Sequence, residues 1–180
     1  MRNSIRIAIW FTLLFAATTG FFLRAGSARG NGNSAASNNP FAGSWTYRSF
    51  RNTPDPVGDV GKDPSKLVAM LFAEAKWVIQ NTADNSLKGE LQFGPDDIMD
   101  LTGVIAPATS TSPARVHING KGRAGTSTEH LFYDYDGSLA LTWPNGVNQR
   151  AAIVGSVIRV RPHDNSPAGY VASFIAVKQD

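Results

Sequence analysis

From Phe41 onward, hydrophobic positions recur at every second residue rather than every third or fourth. A period of two gives an extended strand one face in oil and one in water. In the first such run Trp45, Tyr47 and Ser49 share a face, and Ser44, Thr46, Arg48 and Phe50 share the other. Residues 86–93 repeat the scheme, with Leu87, Gly89, Leu91 and Phe93 against Lys88, Glu90 and Gln92. So do residues 99–105, 115–122, 152–161 and 170–178. Residues 67–80 are ambiguous. From about Leu71 they alternate, with Leu71, Ala73, Ala75, Trp77 and Ile79 against Glu74, Lys76, Val78 and Gln80, after room for a short helical turn. Their Ala, Leu and Glu content also suits a helix, but the β-rich end at Trp77-Val78-Ile79 favours a strand. Residues 131–135 and 138–143 flank Asp136-Gly137, which reads as a two-residue hairpin turn. Asn119-Gly120 offers a second such turn inside residues 115–122.

The pattern predicts an all-β fold, an antiparallel up-and-down β-barrel of about eight strands. Closure removes the two unpaired edges that an open sheet of this size would expose. Residues 52–66 carry Pro54, Pro56, Pro64, Gly58 and Gly61, and predict a long irregular loop.

Ahead of the alternating region the composition changes twice. Arg2 and Arg6 precede an apolar run over residues 7–23, and Ala25-Gly26-Ser27-Ala28 follows. That three-part layout predicts a signal peptide over residues 1–28, cleaved after Ala28. The competing reading is an uncleaved anchor, but a helix over residues 7–23 would reach only roughly 26 Å against a hydrocarbon core of about 30 Å. Residues 29–40, rich in Asn, Ser and Gly, predict a flexible tether. The barrel domain is then 41–180. An exported location, periplasmic or extracellular, follows, with membrane contact only through an uncleaved segment.

The chain of 180 residues has 17 basic and 14 acidic side chains. Arg2, Arg6 and Arg24 belong to the export segment, which contains no acid; 17 less these three equals the 14 acidic residues. A neutral mature chain has no electrostatic footprint for nucleic acid. The chain has no cysteine, which excludes disulfides, thiolate metal sites and thiol nucleophiles.

Gly43-Ser44-Trp45 at the head of such a barrel resembles the opening of the calycins, the lipocalins and avidins. The resemblance implies that Trp45 packs across the closed end. The last strand runs almost to the C-terminus, and there is no disulfide pair, so the chain is more similar to avidins. Asp134-Tyr135 is loosely similar to a lipocalin Asp-Tyr pair. The avidins' biotin-contacting residues have no match, so the resemblance does not imply biotin.

Trp45, Tyr47, Trp77, Tyr133, Tyr135 and Trp143 are the aromatics that could line an interior cavity; as core, they would be cross-strand packing pairs. Arg159 and Arg161 share a strand face with Ile153 and Val157. Turned inward, they would aim cations at the barrel mouth and hold an anionic ligand. Turned outward, the reading favoured by the rarity of unpaired buried arginine, they are surface charges. His117, His130 and His163 are too scattered for a metal site or a triad. His117 falls on a polar face, and His163 beside Asp164 suits a local hydrogen bond. Asp96, Asp97 and Asp100 read as turn residues with too few oxygens for calcium. No catalytic residue, metal or cofactor is expected.

Three functions fit this outline. The first is a non-catalytic module binding a small ligand in the barrel. The second is an accessory subunit docking a protein partner in the envelope through its outer surface, where Phe50 and Val78 are apolar. The third is a cofactor-free enzyme similar to the allene oxide cyclases or dirigent proteins, whose related barrels steer reactive intermediates by cavity shape. N-terminal sequencing of the exported protein should begin at Arg29; an intact Met1 would instead identify an anchor.

Overall fold

The structure, a computed structural model, describes residues 39–52, 70–82, 84–140, 142 and 149–179. The signal segment, the tether up to residue 38, nearly all of the 52–66 loop and Trp143 lie outside the described residues. Eight strands follow in order: β1 (Gly43–Arg51), β2 (Leu71–Ile79), β3 (Ser86–Gln92), β4 (Ile98–Ala106), β5 (Arg115–Gly122), β6 (Phe132–Leu139), β7 (Ala152–Arg159) and β8 (Val171–Lys178). Each pairs antiparallel with its sequence neighbours, and β1 pairs with β8, so the sheet is a closed up-and-down barrel. The alternation read from the sequence sets the inside and outside of most strands. Trp45, Tyr47, Trp77, Leu87, Leu91, Leu101, Ile118, Tyr135, Ile153, Val157 and Phe174 form the buried core.

The expected hairpin at Asp136-Gly137 does not exist. β6 runs straight through it, with Asp136 opposite His117 and Ser156, and Gly137 opposite Val116 and Gly155. The glycine is there for space. A Cβ on Gly137 would stand 2.9 Å from Ile153 Cγ2 and 3.1 Å from Phe174 Cζ. Across the ladder, a Cβ on Gly155 would collide with the Asp136 carbonyl oxygen. Two strands can therefore approach closely here, and the sheet can bend sharply enough to close. Asn119-Gly120 likewise lies within β5 rather than at a turn.

One end of the barrel is sealed by residues 39–45. Asn39 Oδ1 accepts from Phe41 N (2.9 Å), and Asn39 Nδ2 donates to Gln80 O (3.2 Å). Phe41 is thereby held inside the barrel end, where its carbonyl accepts from Trp45 Nε1 at 2.8 Å. Both rings are fully buried. Gly43 has φ +118°, a backbone conformation that L side chains rarely adopt, which is why glycine precedes the tryptophan by two residues. On the outer surface Arg123 bridges Glu90 and Asp100 across β3 and β4, and its hydrogen bond holds the Glu90 carboxyl below the ordinary range.

Truncation of Trp45 to Ala should lower unfolding free energy by about 3–5 kcal/mol, measured by urea denaturation. A loss under about 1 kcal/mol would show that the seal at this end contributes little.

Candidate functional site

The opposite end of the barrel holds a cavity among the described residues. The β3–β4, β5–β6 and β7–β8 turns surround a cavity of about 410 Å³ whose wall includes Tyr47, Phe72, Tyr133, Tyr135, Val157 and Arg159. Small side chains make the room, since β2 presents Ala73 to this space. Beneath it the aromatic core is continuous. Tyr47 stacks on Trp77 with ring centroids 5.1 Å apart, and Trp77 meets Tyr135 (5.6 Å) and Phe174 (5.2 Å) edge-on. Such pairs add to area burial and fix ring orientation.

Arg159 is the exceptional member of the wall. The face it shares with Ile153 and Val157 points inward, and the side chain is only 7% exposed. The outward reading is thus overturned for Arg159, because it falls on the same side of the strand as those two core residues. Arg161 lies past the end of β7, is exposed, and sits over the Phe132 ring at 3.9 Å. Arg159 Nε donates to Tyr133 Oη and Nη1 to Pro167 O, both at 3.4 Å. These are long for guanidinium hydrogen bonds. Its guanidinium also lies 5.6 Å from the Tyr170 ring. No carboxylate among the described residues forms an ion pair with it.

The β7–β8 turn brings His163 to the same place. Asp164 (φ 48°) and Asn165 (φ 59°) are both left-handed, a conformation those residue types tolerate. Their turn is closed by hydrogen bonds from His163 N to Ser166 O and from Ser166 N to His163 O. On this turn His163 Nε2 is 2.7 Å from Tyr133 Oη, and Nδ1 is 3.0 Å from Asp164 Oδ2. With Nδ1–H donating to the carboxylate, Nε2 accepts from the tyrosine hydroxyl, whose oxygen in turn accepts from Arg159. The chain of contacts fixes the direction of the hydroxyl and the position of the guanidinium.

Of the aromatics singled out in the sequence, Tyr47, Tyr133 and Tyr135 meet at this cavity with Arg159. Trp45 belongs to the sealed end, Trp77 to the layer below, and Trp143 lies outside the described residues. Sequence reasoning paired His163 only with Asp164 and missed Phe72 and the link to Tyr133. That link depends on Tyr133 standing opposite Arg159 across β6 and β7. His117 is exposed and contacts Asp136, away from this cavity. Among the described residues, no cluster of three or more His, Cys, Asp or Glu could hold a metal ion.

The chain matches no protein-family model, no curated protein and no solved structure.

Burial pushes the hydroxyl pKa of Tyr47 well above the ordinary value; a hydrogen bond with Ser49 opposes this, and the nearby Tyr133 adds to it. Burial does the same to Tyr135, reinforced by Tyr47 and Tyr133. Both enter the site as neutral phenols. An acid whose folded pKa exceeds its unfolded one binds more protons when folded, so stability falls as pH rises above the unfolded value near ~10. Ultraviolet titration should show these two tyrosines silent past pH ~11, ionising only as the barrel unfolds. Four tyrosines titrating together near ~10 with the fold intact would contradict their burial.

Proposed function

We propose that the protein is a binding module that takes a small ligand into the open mouth of its barrel. The observation that carries this reading is the 410 Å³ cavity, aromatic-walled and entered by a few converging polar groups. Ligand sites have that composition, and pockets of this kind run from roughly 300 to 1,000 Å³, so the ligand is at the small end. An eight-stranded barrel can be filled by side chains or hold one small molecule. Here the two halves divide those roles. The likeness to the calycins is supported by Gly43 and by Trp45 at the sealed end, and export by the leader pattern of residues 1–28.

A second reading, an accessory subunit, draws on the outer face of β7 and β8. Val154 stands opposite Ile175, and Ile158 opposite Val171, and all four are exposed. Adjacent apolar pairs on a wet face suit a protein partner in the envelope.

Native mass spectrometry of protein purified from its own host should show a bound small molecule. A thermal-shift screen should also raise the melting temperature, since a ligand at 100 times its Kd adds about 2.7 kcal/mol. Bare protein in the first and no shift in the second would contradict the binding reading.

A further inference from the structure

Arg159 is a cation held inside the barrel, and no carboxylate among the described residues pairs with it. A guanidinium has five N–H groups. One, on Nε, goes to Tyr133 and one, on Nη1, to Pro167, which leaves three, including both on Nη2. Burying a charge without a counter-ion costs stability, and an apolar side chain of the same volume would cost less. Here the side chain is more than nine-tenths buried, held by a neutral hydroxyl and a carbonyl, and lines a cavity. The rest of the described wall supplies hydroxyls, aromatic rings and aliphatic side chains, with His163 and Asp164 at the lip.

We propose that the mouth cavity binds a compact apolar monocarboxylate, its carboxylate on the free edge of the Arg159 guanidinium and its apolar body against Tyr47, Phe72 and Tyr135. This rests on the small-ligand reading and adds the charge and class of the ligand. A planar carboxylate matches the guanidinium fork and forms charge-assisted bonds about twice as strong as neutral ones. A single negative charge is favoured over a dianion, because Arg159 is the only lysine or arginine among the described wall residues and Asp164 at the lip is acidic. Small volume excludes a long acyl chain. The Asp164–His163–Tyr133 contacts act as a positioning device, holding the tyrosine oxygen against Nε and leaving the Nη2 hydrogens for the ligand.

The test is titration calorimetry of the whole exported protein with phenylacetate, cinnamate and hexanoate, each against its primary amide. Every acid that binds should do so at least about tenfold tighter than its amide. Arg159→Met should abolish that preference, and Arg159→Lys should keep part of it. Circular dichroism of each variant checks the fold. In the absence of ligand, Arg159→Met should also raise the melting temperature, by roughly 5 °C. Amides binding as tightly as acids would overturn the carboxylate assignment while leaving the small-ligand reading in place. So would a fall in melting temperature for Arg159→Met with acid preference intact, which would make the arginine a structural residue. If neither acids nor amides bind, the carboxylate assignment fails, and the small-ligand reading is then decided by the native mass measurement alone.

Discussion

β1 pairs with β8 from Trp45 to Arg51, so every strand of the sheet has a hydrogen-bonded neighbour on both sides. Without that ladder two strands would expose unpaired amides and carbonyls to any passing chain. With it, the inner faces of all eight strands converge on one interior, and each alternate side chain must be accommodated there. Closure at this strand number demands sharp curvature, and the glycines of β6 and β7 permit it. At Gly155 the strands come closer than any side chain would allow, and Gly137 leaves room for the Ile153 and Phe174 side chains.

The interior then divides along its length. Near the sealed end large rings fill the space, locked by the Asn39–Phe41–Trp45 hydrogen bonds. Toward the mouth the strands contribute smaller residues such as Ala73 and Val157, and space remains. A core built only for stability would fill that space with leucine or phenylalanine. The chain instead places an arginine there and surrounds it with hydroxyls and rings. No carboxylate among the described residues pairs with that guanidinium, so its burial costs stability rather than adding to it.

Much of this was legible in the sequence, because period-two alternation is a direct record of which face is wet. The strand faces of β1, β3, β4 and β5 follow from it, as does the closed barrel. The site was less legible. Asp136-Gly137 has the composition of a turn, and reading it as one pairs residues 131–135 with 138–143. That false pairing separates Tyr133 from Arg159, which are in fact opposite each other. The glycine was mistaken for a turn signal because a demand for close packing and a demand for positive φ select the same residue. The side of β7 on which Arg159 falls was misjudged for a different reason. Buried unpaired arginine is rare, and a general rarity weighed more than the local alternation through Ile153 and Val157, which was correct.

Closure of the sheet is most directly tested by nuclear magnetic resonance of the exported protein. Cross-strand nuclear Overhauser effects should link Tyr47 with Ala176 and Ser49 with Phe174, and the amides of both strands should exchange slowly. If those cross-peaks are missing while the amides of β1 and β8 exchange as freely as those of an open edge, the sheet is not closed and its interior is not a container.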